Sequence, residues 1–190
     1  MSVRQLIRSN RAFPFYGDLQ SGNMSDLLRN NIQKSTYFKE LTELRTFEEV
    51  VQEIMEHVKY TDPWVVGANG VPSSFFTCLY KLMLLRLTEK QVHWLIRPDV
   101  LYQGQHQMNS RNDPFVRAAG FLFIRFLSPP EQLWQRLYLF LMEEQVSTQF
   151  TYSADGRQIT VGEFVRQLLA DKNYLGTVLP RIPVLSNRDI

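Results

Sequence analysis

Apolar positions recur along this chain at helical spacing, and most of the recurrences open on a residue suited to capping a helix. Thr46 and Glu49 have capping-box spacing ahead of Phe47, Val50, Val51, Ile54, Met55 and Val58, which share one helical face. Thr88 with Gln91 opens a shorter helix carrying Val92, Leu95 and Ile96, and Pro98 closes it. Ser128 with Glu131 encloses Pro129 at a first helical position, and this spacing predicts an inward face of Leu133, Trp134, Leu137, Tyr138 and Leu141. Thr160 with Glu163 starts a last long helix with Val161, Phe164, Val165, Leu168 and Leu169 inward. An earlier helix from about Met24 to Gln33 uses Leu27, Leu28 and Ile32, and a short turn through Tyr37, Phe38 and Leu41 follows it.

Two further segments are apolar nearly all round, the pattern of helices that run through the middle of a bundle. One extends from Ser74 to Leu87, and the other starts at Asp113, a good N-cap followed by Pro114, and runs through Ile124. Gly120, beside Ala118 and Ala119, weakens an otherwise strong helix and so predicts a close neighbour. Phe150 to Ile159 alternates around Asp155-Gly156, a hairpin signal. The loops 62–73 and 98–113, rich in Gly/Pro and in Gln/Asn, are expected to be exposed and mobile. The expected fold is all-α: a single compact multi-helix domain over residues 13–185, with one small β-hairpin near 150–159. A flexible basic arm (1–12) precedes it and a short end (186–190) follows.

Composition narrows the function more than the fold. With 44% apolar and 21% charged residues, the chain has the make-up of a folded domain. Its formal net charge of +2 is too small for broad attraction to phosphate. A local contact with RNA is still open through Arg4, Arg8 and Arg11, which all precede the first acid, Asp18; the other reading of the same residues is a solvated, frayed terminus. Cys78 is the single cysteine, which excludes an intrachain disulfide and fits a reducing compartment. The most apolar run, Ala118 to Leu127, is interrupted by Arg125 and is about half the ~20 residues that span a bilayer, so a soluble protein without membrane contact is expected.

Candidate chemistry is sparse. His57, His93 and His106 lack the spacing of a helical metal site, and Gly67-Ala68-Asn69-Gly70 is not followed by the Lys-Ser/Thr of a phosphate loop. Glu48-Glu49 and Glu143-Glu144 are adjacent pairs whose side chains point about 100° apart on a helix, unlike a working acid/base pair. Neither an enzyme nor a bound cofactor or metal is expected. Arg117 and Arg125, set inside the most apolar helix, stand out because a buried guanidinium needs an acceptor, supplied either internally or by a partner.

The run Phe115-Val116-Arg117-Ala118-Ala119-Gly120-Phe121-Leu122-Phe123-Ile124-Arg125 resembles the central signature of the pre-mRNA-splicing factor 38 (PRP38) family, and Leu179-Pro180-Arg181-Ile182-Pro183 is similar to its closing motif. Tyr37-Phe38-Lys39, Pro63-Trp64, Leu79-Tyr80-Lys81-Leu82 and Leu87-Thr88-x-x-Gln91-Val92 fall in the family's order, so the likeness extends from about Phe13 to Val184. Ser128-Pro129-Pro130 and Phe47 through Ile54 follow the B-type paralogue more closely than the A form.

The resemblance implies an all-helical, nuclear, non-enzymatic scaffold for protein contacts. It would serve assembly and activation of the spliceosome in pre-mRNA splicing, among proteins of the precatalytic complex and the tri-snRNP. A monomer is expected on its own, and any RNA contact is expected to be weak. Partner-binding candidates are Trp64, Phe115, Arg117, Arg125 and Arg181. Arg117 and Arg125, offset by about 80°, would flank a groove, with Arg181 as a third member. The loop after Pro98 is longer than usual for the family, and no Arg/Ser-rich tail follows within this sequence, so the resemblance does not carry tail-dependent contacts over to it.

Overall fold

The computed structural model describes residues 11–18, 20–97, 113–144 and 149–183. Within them lie α1 (Asp26–Lys34), α2 (Thr36–Leu41), α3 (Phe47–His57), α4 (Ser74–Leu84), α5 (Glu89–Ile96), α6 (Pro114–Leu127) and α7 (Pro130–Leu137). A 3₁₀ turn (Tyr138–Phe140), strands β1 (Phe150–Thr151) and β2 (Gln158–Ile159), helix α8 (Val161–Ala170), and strands β3 (Asn173–Tyr174) and β4 (Thr177–Val178) complete the order. The all-helical expectation holds, with the β1–β2 hairpin at the expected place and a second antiparallel pair, β3–β4, that the sequence reading did not foresee. Four residues around the tight Leu175-Gly176 turn (φ +44° and +83°) are too few to show an alternation of apolar and polar positions.

The caps do what their spacing predicts in α3 and α5, where both halves of the box form: Thr46 accepts from the Glu49 amide, Thr88 from the Gln91 amide, and each N3 side chain bonds back to the cap. Ser35 serves two helices at once, donating to the Ile32 carbonyl of α1 and accepting from the Phe38 amide of α2. Thr160 caps α8 through the Glu163 amide, while the Glu163 carboxylate meets Gln167 instead. The Ser128 box does not form. Ser128 ends α6, its amide bonded to the Ile124 carbonyl, Pro129 occupies the N-cap of α7, and the buried Ser128 hydroxyl has no hydrogen-bond partner among the described residues.

α6 is the axis of the core: every residue from Val116 to Leu127 is buried. It packs most extensively against α5 and also meets α3, α4, α7 and α8. Gly120 makes the α5 contact possible, because a Cβ there would stand 2.6 Å from the Leu95 Cβ and 3.2 Å from the Leu95 carbonyl carbon. A cluster of rings joins the ribbons to α6 through Phe115 and Phe121, with Phe164 edge-on to Phe150, Tyr152 and Tyr174. The fully buried Tyr174 hydroxyl donates to Thr61 at 2.6 Å, and Thr61 donates to the Tyr152 carbonyl, so this polar chain inside the core is satisfied. Cys78 is also buried, and desolvation pushes its thiol up to about 12, the behaviour of an inert core residue.

Candidate protein-interaction surface

Helix α1 carries Leu27 and Leu28 side by side, about 100° apart on the helix, and only one of them faces the core. Leu28 is fully buried with Ile32, and Leu27, expected inward, is 67% exposed. Beside it lies the loop 62–73, which the structure ties down rather than leaves loose. The Asp62 carboxylate accepts from the Ala154 amide and the Ser153 hydroxyl, Val65 and Val71 are linked amide to carbonyl, and the Asn31 side chain donates to the Gly70 carbonyl at 2.7 Å. Gly67 and Gly70 take φ of +80° and +70°, the left-handed turns that reverse the chain. A shallow pocket of about 350 Å³ results, lined by Leu27, Asn31, Trp64, Val65, Ala68 and Asn69. Trp64 is half-buried in it, and Val66 and Val71 stand exposed nearby. Apolar walls with an amide at the rim suit a bulky side chain of a bound peptide.

The candidate arginines behave differently. Arg117 is buried: its Nε donates to the Ile96 carbonyl at 3.1 Å and its Nη2 to Glu143 at 2.8 Å, with the guanidinium near the rings of Phe121 and Phe140. Arg125 is buried deeper, donating to the carbonyls of Leu168 and Pro180, both at 2.7 Å. Desolvation pulls its pKa down to about 10, which leaves it charged at neutral pH. The expectation that these two flank one groove is corrected by this geometry. Arg117 reaches toward α5 and Glu143, Arg125 toward α8 and the C-terminal segment, and these donors are spent on acceptors within the domain. Arg125 does hold the Pro-Arg-Ile-Pro motif by its Pro180 carbonyl, so that Arg181 and Ile182 face solvent. Phe115 is half-buried, edge-on to Phe150.

Of the arginines expected to touch RNA, Arg4 and Arg8 lie outside the described residues. Arg11 is exposed, but its backbone is fixed: its carbonyl accepts from the Glu89 amide, Ala12 pairs with Thr88, and the Phe13 amide bonds to the Leu87 carbonyl. Arg11 and Ala12, assigned by sequence to the arm, are thus bonded to the segment that leads into α5. Phe13 is buried against Phe123, beneath the guanidinium of Arg136. His106 and the loop 98–112 lie outside the described residues. Among the described residues, no group of His, Cys, Asp and Glu could hold a metal ion, and no helix is long and apolar enough to cross a membrane.

The inward face expected of α7 is also corrected. Leu133, Leu137 and Phe140 are buried, whereas Trp134 and Tyr138 are 61% and 44% exposed. Arg136 explains the rotation. It forms a two-pronged pair with the buried Glu89, at 2.7 and 2.9 Å, and lies over the Phe13 ring. With the cation drawn to one flank of the inner face, Trp134 and Tyr138 turn out on the other.

Residues 14–190 match the family model described as the PRP38 family. Over 88% of its length the chain is 34% identical to pre-mRNA splicing factor SR-like 1 of Arabidopsis thaliana, and over 96% it is 32% identical to human pre-mRNA-splicing factor 38B. It spans only 39% and 34% of those two proteins. Its fold is similar to that of a chain in the crystal structure of the Snu23–Prp38–MFAP1(217–258) complex of Chaetomium thermophilum, with a TM-score of 0.73 at 20% identity over 93% of this chain and 84% of the other.

Proposed function

The chain belongs to the PRP38 family, and from that membership we propose that it is a non-enzymatic, nuclear scaffold that holds proteins together during assembly and activation of the spliceosomal precatalytic complex, alongside the tri-snRNP. Its curated relatives are splicing factors, and the solved neighbour comes from a complex with Snu23 and a short piece of MFAP1, the kind of partner a small adaptor surface accommodates. The observation that carries the reading is the pocket at Trp64 and Leu27, with Val66 and Val71 beside it. Apolar side chains held open on a tied-down loop serve a partner rather than the core. Arg181, exposed on its anchored motif, is a candidate charged contact at the C-terminal segment.

The test is affinity capture of the full chain from nuclear extract, against the variant carrying Leu27→Glu and Val66→Glu. The wild type is expected to retain spliceosomal proteins, and the variant to lose at least tenfold of one or more of them at an unchanged melting temperature. Identical captured sets would overturn the reading. Nuclease-sensitive capture that falls steeply with salt would instead favour RNA contact through Arg4, Arg8 and Arg11.

A further inference from the structure

Resting on the pocket reading above, we infer that Asn69-Gly70 is a self-modifying site: it converts spontaneously to an aspartyl or isoaspartyl linkage, and the carboxylate so formed switches the pocket off for apolar partners. No other asparagine of the chain precedes glycine. Both residues are exposed, and among the described residues neither the Asn69 side chain nor the Gly70 amide has a hydrogen-bond partner. Having no side chain, Gly70 leaves its nitrogen unshielded and its backbone free to turn. The surroundings are open as well, since a Cβ at Gly70 would meet only Asn31 Nδ2, at 3.1 Å. The chain reverses through Ala68 to Val71 with Asn69 and Gly70 in the middle and Gly70 at φ +70°. One long bond, from the Val71 amide to the Ala68 carbonyl at 3.3 Å, closes this turn. It opens locally at small cost, which lets the Gly70 nitrogen swing onto Asn69.

Asparagine amides are among the thermolabile groups of proteins, and the step needs no reagent but water. The Gly70 amide nitrogen attacks Asn69 Cγ, the Cγ–Nδ2 bond breaks, and Nδ2 leaves as ammonia with the proton that Gly70 gives up. Water then adds to one carbonyl of the resulting five-membered imide and breaks its bond to nitrogen. Aspartate or β-linked isoaspartate results, with no change of oxidation state and one more negative charge. None of the residues that line the pocket is charged, so the new carboxylate stands without a cation there. Covering it with an apolar side chain strips water from an unpaired charge. The β-linkage also inserts a methylene into the main chain, which shifts the Gly70 carbonyl off the Asn31 amide that ties the loop to α1.

The purified full chain is aged at mildly alkaline pH and body temperature, mapped by peptide mass, and offered to nuclear extract. Asn69→Gln, Asn69→Asp and the variant carrying Leu27→Glu with Val66→Glu are treated alongside. Asn69 should convert at least tenfold faster than any other asparagine, with isoaspartate among the products. Asn69→Gln, whose imide ring would be one atom larger, should stay intact. Equal rates across the asparagines, or aspartate alone at position 69, overturns the inference. Aged wild type and Asn69→Asp should retain at least fivefold less of the spliceosomal proteins that the double variant loses, at unchanged melting temperatures, while aged Asn69→Gln retains as much as fresh wild type. If the double variant loses proteins and aged wild type and Asn69→Asp do not, the pocket stands and the switch is overturned. If the double variant loses nothing, the pocket reading itself fails and the switch falls with it.

Discussion

Helix α6 hides charge and α7 displays aromatics, and the two inversions have opposite consequences. In α6 the guanidinium groups of Arg117 and Arg125 are buried and spend donors on carbonyls and a carboxylate of the same chain. A buried cation so satisfied ties elements together but has little left to offer a partner. In α7 the pair of half-buried Arg136 with buried Glu89 takes one flank, and Trp134 and Tyr138 are left in solvent two residues away from it. Stacked rings in water gain from being covered. Residues that look functional by type, the arginines, therefore hold the fold, and residues that look structural by pattern, the aromatics, make the surface.

The sharpest way to break this contrast is Arg136→Ala, which leaves Glu89 a buried carboxylate without its cation. A loss of about 3–5 kcal/mol is expected in urea unfolding, and an unchanged midpoint would mean that α7 is not anchored there. Arg125→Leu strips the two carbonyls of charged donors and is expected to cost about 3 kcal/mol, lowering the melting temperature by roughly 10 °C. Retained stability with lost partner capture would return Arg125 to the binding surface. Gly120→Ala forces α5 and α6 apart, and a net loss of about 1–2 kcal/mol is expected once the gain in helix propensity is subtracted.

Alkali probes the interior next. The folded-state pKa of Cys78 is raised to about 12, so its contribution is complete below the thiol's ordinary value of 9.0 and drains away as pH rises through the folded value. A fall of about 1 kcal/mol between pH 9 and 10 is expected, absent in Cys78→Ala. Iodoacetamide at pH 8.5 should leave the folded thiol untouched. The smallest effect belongs to the surface: Trp134→Ala should move stability by less than about 0.5 kcal/mol. A larger loss would show that the ring supports the fold.

Much of this was legible beforehand because it is local. A capping box needs only residues three apart, and α3 and α5 start where Thr46 and Thr88 place them. Asp113-Pro114 marks the start of α6, and Gly120 announced the crossing with Leu95. Ser128 misled because it stands between two helices, and the first claimed it as a C-cap. Of the expected surface residues, Trp64 lines a pocket and Arg181 is exposed, while Leu27 and Asn31, which reach that pocket from α1, could not be paired with Trp64 by spacing.

Sequence alone determined the helical class, the central place of α4 and α6, the hairpin at Asp155-Gly156 and the family likeness, since periodicity, caps and ordered motifs are properties of the chain read in one dimension. Only the tertiary structure decided which side of α7 faces the core and where the guanidinium groups end. Both outcomes depend on groups far apart in sequence, Glu89 for Arg136 and Pro180 for Arg125. A helix with a broad apolar arc can rest on its core in more than one rotation, and the ion pair selects among them because leaving the buried Glu89 carboxylate unpaired costs more than exposing two aromatic rings.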